Sequence, residues 1–424
     1  MKLLNVIVAV VCLSQGIEVW AAPQCPRGLN SLPDSSRPAG QNDGRNPIQH
    51  IIVIMQENHS FDNYFGALSD PKFYGSEVDG IRPDLFNLDS KGQPVHVFHE
   101  TNLCISDPAH DWNDAHADWN FGKMDGFVKT NEYHNDGRRV MGYYTEQDIP
   151  YYYALAQTFA IGDRFFSSTL GQTYPNRFFM LTGSAFGNIR NLFPQNDMGF
   201  AQRTIFERLN EYGVTWSYYH NEQNPFCYLA LFQPMYRANL DHMKDDAQFA
   251  RDLAADQLPQ VVFLDATFEG ADEHPGANVQ KGQAWAGEKI NQLLASRAWR
   301  SSVLFLTYDE NGGFFDHVPP PEACAPDSIL PDLHPRDVPG NFERLGFRVP
   351  FVAISPYAKR HYVSHQVYDH TSILKFIATK YNLPPLTLRD ANADGLMDLF
   401  DFDHPNFDVG PLPSPTQDPA RDCH

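Results

Sequence analysis

One run of residues constrains this chain more than any other. His50-Ile51-Ile52-Val53-Ile54-Met55 is an almost unbroken β-branched stretch, and it passes straight into Gln56-Glu57-Asn58-His59-Ser60-Phe61-Asp62. Apolar and polar residues do not alternate along it, so both faces need covering, as in an interior strand of a parallel sheet. Comparable runs occur at Val261-Val262-Phe263-Leu264, at Ser302-Val303-Leu304-Phe305-Leu306-Thr307 and at Val349-Pro350-Phe351-Val352-Ala353-Ile354. Helical patterns lie between and after them, at Ala284 to Ala295 and at Ser372 to Tyr381. Buried strands interspersed with helices predict an α/β fold, a mostly parallel sheet flanked by helices. The main domain spans about 48–402, after an irregular lead-in at 22–47 and before a C-terminal tail at 403–424. Two polar, aromatic stretches near 70–150 and 195–255 read as inserted cap segments.

Charge narrows the function. With 52 acidic against 32 basic side chains the formal net charge is −20, which repels phosphate backbones and argues against a nucleic-acid partner. A phosphorylated substrate would need local capture by a metal, helix ends or a few cations. No apolar run reaches the roughly 20 residues of a membrane span. Residues 1–21 read as a secretory signal: Lys2, the apolar Leu3 to Leu13 broken only by Asn5, then Val19-Trp20-Ala21 before a cleavage point. A secreted or periplasmic location follows. Export removes Cys12 and leaves Cys25, Cys104, Cys227, Cys324 and Cys423 in a disulfide-permitting compartment. An odd number allows at most two bridges, and a Cys25–Cys423 pair would join the chain ends.

The chemistry collects where strands end. The first strand runs into Glu57-Asn58, and the 302–307 strand runs into Tyr308-Asp309-Glu310-Asn311-Gly312-Gly313. Ligand sites of open α/β sheets form outside the carboxyl ends of strands. Carboxylate clusters converging there cannot all stay ionised without a cation, and hard oxygen ligands suit a divalent metal. The plain alternative is that Glu57 and Asp309 cap the helices that follow. Thr173-Tyr174-Pro175-Asn176-Arg177 reads as a helix start with Thr173 as its cap. The same geometry would bind a phosphate on the helix N–H groups and present the Thr173 hydroxyl, with Arg177 as a clamp or a structural ion-pair partner. His110, His116, His274 and His317 stand near carboxylates in segments outside the strand runs and are candidates for acid–base or ligand duty.

At these residues the sequence resembles the bacterial phospholipase C and acid phosphatase family, which includes the plant non-specific phospholipases C. The matching segments are Glu57 to Gly66, Asp107-Pro108-Ala109-His110-Asp111-Trp112 with Met124-Asp125-Gly126-Phe127, and Thr173 to Arg177. Glu273-His274-Pro275, Asp309 to Pro320 and Arg348-Val349-Pro350 follow in the same order. The resemblance implies an alkaline-phosphatase-like fold and metal-dependent cleavage of phosphate esters, with zinc the favoured divalent ion. It implies Glu57, Asn58, Asp309 and Glu310 as metal ligands, Thr173 as nucleophile, and His110 and His274 as catalytic histidines. Asn176, Arg177 and His317 are expected to bind substrate.

The expected activity is a secreted phospholipase C that cleaves glycerophospholipids such as phosphatidylcholine, at the membrane surface, through a phosphothreonine intermediate. Direct attack by a metal-activated hydroxide is the mechanistic alternative, and an acid phosphatase acting on monoesters is the functional one. Tyr143-Tyr144, Tyr151-Tyr152-Tyr153, Trp112 and Trp119 read either as a lipid-admitting rim or as core. Asp390-Ala391-Asn392-Ala393-Asp394-Gly395 partly fits a calcium loop, but Asp replaces the closing Glu and Pro384-Pro385 leaves little room for a flanking helix.

Overall fold

In the computed structural model the first run is the strand β1 (His50–Gln56), buried along its length except for a half-exposed His50. The structure describes residues 25–415 and 423, apart from 134–135, 196, 222–225 and 269. The expected signal segment therefore lies outside the described residues. Ile51, Ile52, Val53 and Ile54 are all 1% exposed or less, and burying each such side chain is worth about 1.5–3 kcal/mol.

Seven further strands complete the sheet: β2 (Ala160–Gly162), β3 (Trp216–His220), β4 (Met243–Asp245), β5 (Val261–Leu264), β6 (Ser302–Tyr308), β7 (Phe351–Ile354) and β8 (Tyr362–Ser364). Their spatial order is β8-β2-β7-β6-β1-β5-β3-β4. Neighbours are parallel except around β7, which runs antiparallel to both β6 and β2. The result is a mixed, mostly parallel eight-stranded sheet flanked by helices. β1 sits between β6 and β5 in register, with Gln56 opposite Tyr308 and Ile54 opposite Leu264.

The segment near 70–150 does stay outside this sheet, forming short helices and two small two-stranded ladders. The expected insertion at 195–255 is corrected: it contributes β3 and β4. Trp216-Ser217-Tyr218-Tyr219-His220 looks half polar in sequence, yet all five residues are buried. The tyrosine hydroxyls find carboxylates, Tyr218 on Asp265 and Tyr219 on Asp252 at 2.6 Å, so these two rings are buried with their hydroxyls satisfied.

Two disulfides hold the ends to the body, Cys25–Cys324 and Cys104–Cys423, and Cys227 is a buried free thiol. Two bridges and one spare thiol match the count, but the expected Cys25–Cys423 pair is wrong: each terminal cysteine meets an internal one. The calcium reading also fails at Asp390. Its carboxylate accepts from the Leu386 and Thr387 amides at 2.9 and 2.6 Å and closes a capping box at the start of the helix Leu388–Asn392. No helix among the described residues is long and apolar enough to cross a membrane.

Candidate active site

The ladder between β1 and β6 ends at Gln56 and Tyr308, so Glu57 and Asp309 emerge side by side at the carboxyl edge. The Asp309 amide still donates to the Gln56 carbonyl at 3.1 Å, and Asp309 Oδ1 accepts from the Asn58 amide at 3.2 Å and from the Glu310 amide at 2.8 Å. Neither acidic residue caps a helix. Ser60 is the cap of α1 (Phe61–Phe65). Asn58 bends the chain at φ 67°, a conformation that asparagine tolerates better than most residues. Gly312, at φ 61°, lies so close that a Cβ there would sit 2.2 Å from the Asn58 carbonyl oxygen. A Cβ on Gly313 would sit 2.4 Å from the Ala109 carbonyl oxygen. The paired glycines thus seat the acidic loop against both Asn58 and the His110 segment.

Thr173 opens the helix α2 (Thr173–Thr182) as its first residue. Gln172 occupies the cap position, so the expected threonine cap is corrected. The hydroxyl is free of capping duty and reaches Asn58 Oδ1 at 3.4 Å. Asn176 is fully buried and turned inward. Its Oδ1 accepts from the Ser168 and Thr169 amides at 2.9 and 3.0 Å, and its Nδ2 donates to three carbonyls at 3.1–3.2 Å. Every polar atom of this side chain is spent fixing the loop before Thr173, so it holds that backbone in place.

Arg177 answers the open question between clamp and ion pair. Its guanidinium lies 3.0 Å from Glu57 Oε1, 3.0 Å from Asp309 Oδ2 and 3.5 Å from Asp265 Oδ1, donates to the Met55 carbonyl at 3.1 Å, and stacks 3.9 Å over the Tyr228 ring. It is 4% exposed. In this arrangement its donors are engaged by carboxylates and a carbonyl. Tyr228, whose hydroxyl donates to Glu57, and Asp265 belong to the site without any motif to announce them. Tyr228 comes from the segment read as a cap, and Asp265 is simply the residue after β5.

Charge does not balance here. Burial pushes the carboxyls of Glu57, Asp309 and Glu310 up, Asp309 to about 6 with Glu57 adding to the effect, and Glu310 further with Asp309 beside it. Glu57 Oε2, Asn58 Nδ2 and Glu310 Oε1 are buried without a hydrogen-bond partner. Buried polar atoms are normally satisfied, and an amide can be turned to present its oxygen. This donor set of carboxylate and amide oxygens fits a divalent cation.

His110 and His274 face this cluster from the side. His110 Nε2 is 3.4 Å from Glu310 Oε1, and the two imidazole centroids are 6.4 Å apart. With Asp107 they also bring ligand-capable atoms within 4.8 Å of one another. Burial disfavours the His274 imidazolium, but Glu57 and then Asp107 outweigh it and raise its pKa. The turn carrying His274 is anchored by Glu273, at φ 70°. The Glu273 carboxylate accepts from Tyr64 at 2.6 Å, Tyr308 at 2.7 Å, Gln56 at 3.0 Å and Tyr152. Tyr144, Tyr151, Tyr152, Tyr153 and Trp112 are therefore core, not rim, all 2% exposed or less.

His317 is not at this site. Its Nδ1 meets Asp62 at 2.6 Å and its Nε2 meets Asp79 at 3.0 Å, in a network centred on the fully buried Arg348, which pairs with Asp62 and Asp316 at 2.9 Å. The expected substrate contact is corrected to a structural one, both ring nitrogens being engaged.

A hydroxyl at a helix start stands beside unbalanced carboxylates and histidines at the edge of the sheet, and with the family and relatives that follow, the chain is a phosphoric ester hydrolase. It belongs to the Phosphoesterase family, whose model matches residues 48–384. It is 32% identical over 413 residues to phospholipase C B of Mycobacterium tuberculosis, covering 84% of this chain and 78% of that one. It is 31% identical over 378 residues to non-specific phospholipase C1 of Arabidopsis thaliana, covering 81% and 69%. Among solved structures, an alkaline phosphatase superfamily protein from Vibrio parahaemolyticus aligns at TM-score 0.39 and 12% identity, over 71% of this chain and 74% of that one.

Proposed function

We propose that this chain is an exported, divalent-metal-dependent phospholipase C that cleaves glycerophospholipids such as phosphatidylcholine to diacylglycerol and a phosphorylated head group. The observation that carries the reading is the Thr173 hydroxyl 3.4 Å from Asn58, beside Glu57, Asp309 and Glu310. Relatives named phospholipase C support the substrate class. Glu57, Asn58, Asp309 and Glu310 would hold the ion, zinc being favoured with imidazoles close by. Such an ion, when bound, lowers the pKa of a nearby hydroxyl and offsets charge on phosphoryl oxygens.

The protein's own part is positional. Asn176 and the start of α2 fix Thr173 in place. Its hydroxyl gives up its proton to solvent and forms a bond to phosphorus as the bond from phosphorus to the diacylglycerol oxygen breaks. His274, whose pKa is raised, donates the proton that the leaving oxygen needs, with His110 beside it as the second candidate. Water then cleaves the phosphothreonine, releasing the phosphorylated head group and restoring the hydroxyl.

Rapid quenching with phosphatidylcholine, followed by mass spectrometry, tests this route. A phosphorylated peptide containing Thr173 is expected, with phosphocholine as the water-soluble product. Cleavage of p-nitrophenyl phosphate without any cleavage of phosphatidylcholine would replace the reading with a monoester phosphatase.

A further inference from the structure

We infer that two adjoining loops beside the active site, 185–193 and 327–333, form an apolar docking surface for zwitterionic phospholipid bilayers. The inference rests on the phospholipase reading for its purpose, but not for its geometry. Leu192 is 49% exposed, Phe193 59% and Leu330 76%, with Ile329 and Leu333 exposed beside them. Several large apolar side chains exposed on two loops that are bonded to each other point to an interaction surface.

The surface is joined to the nucleophile by a short chain of rings. Tyr174, next to Thr173, packs with Phe193 at 6.0 Å and with Phe226 at 6.3 Å, and Phe193 packs with Phe226 at 6.0 Å. Phe268, 42% exposed, lies 5.9 Å from the His274 ring and supplies an apolar residue on the histidine side. The loops are held firmly from beneath. Ser184 donates to Asp327, the Asp332 amide donates to the Gly187 carbonyl at 2.8 Å, and Arg190 donates to the Asp332 carbonyl at 3.0 Å. The exposed side chains are therefore displayed by an ordered base, which lowers the entropy cost of insertion.

Charge selects the occupant. The protein carries a net −20, and the Ile329-Leu330 tip is bracketed by Asp327 and Asp332. An anionic surface is repelled, whereas a zwitterionic head group offers its outward cation to these carboxylates while the apolar tip enters the acyl boundary.

The test compares the wild-type protein with the triple variant Leu192→Ser, Phe193→Ser, Leu330→Ser. Phosphatidylcholine vesicles and vesicles containing phosphatidylglycerol are used for sedimentation, and dissolved p-nitrophenyl phosphorylcholine for turnover. Wild-type binding to phosphatidylcholine should exceed binding to the anionic vesicles, with about a tenfold loss per replaced side chain. Turnover of the dissolved substrate should stay within about twofold, a readout that a misfolded variant would lose. Vesicle binding unchanged by the triple variant, or tighter binding to anionic vesicles, overturns the proposal. Wild-type binding with no release of phosphocholine leaves the docking surface standing and removes the phospholipase reading instead.

Discussion

Thr173 and Gly312 carry the sharpest consequences at the scale of single residues. Thr173→Ala should lower phosphatidylcholine turnover at least about 1000-fold without moving the melting temperature, and Thr173→Ser should stay within about tenfold, because the hydroxyl is what the chemistry uses. Equal losses in both variants, measured by phosphocholine release, would remove the nucleophile role. Gly312→Ala sets a Cβ against the Asn58 carbonyl at a positive φ. A cost of about 2–4 kcal/mol is expected in denaturant unfolding, with activity lost even in the folded fraction. At this scale the sequence singled out Glu57, Asn58, Thr173, His110, His274, Asp309 and Glu310, and the fold brings them close to one another. The failures share a cause. A motif residue can be retained for structure as readily as for chemistry, and residue type alone does not tell Asn176 or His317 from a substrate ligand. Their partners, the 168–172 backbone and the Asp62, Asp79 and Arg348 network, exist only after folding.

At the scale of elements, that network ties the segment after β1 to the 79–82 loop and to the segments leading from β6 into β7. His317 is held up to about 9 there: burial lowers its pKa, and Asp62 and Asp79 more than reverse this. An imidazole raised from its ordinary value of about 6.5 stabilises the fold fully below that value, and the contribution is lost as pH rises through 9. His317→Gln should therefore cost on the order of 3 kcal/mol at pH 6 and little at pH 10, in urea unfolding compared with wild type. A cost independent of pH would show that the imidazole is not charged in the fold. The long strands were legible because β-branched runs have no other ready use. β3 was not, since its aromatic residues are mixed with Ser217 and His220 and the carboxylate partners of the tyrosine hydroxyls are what make burial possible. β2, β4 and β8, three residues each, are too short for any periodicity to register.

Across the whole molecule, two long-range covalent ties matter most. Cys25–Cys324 and Cys104–Cys423 span 299 and 319 residues of sequence, and closing such loops restricts the unfolded chain strongly. Cys104→Ser should cost about 2–5 kcal/mol and lower the melting temperature, as should reduction of the wild-type protein. Pairing of this kind was not readable from spacing, because it depends on how the lead-in and the tail are laid over the body. The acidic balance was readable and bears on the site itself, where buried carboxylates outnumber the one guanidinium among them. The central claim is that this excess serves a divalent cation needed for phospholipid cleavage. Its most direct test is phosphocholine release from phosphatidylcholine by the purified protein before chelation, after exhaustive dialysis against a chelator with metal content measured, and after zinc is restored. Activity should be lost with the metal and regained with zinc, in proportion to the metal bound. Undiminished release from protein shown to be metal-free would contradict the central claim.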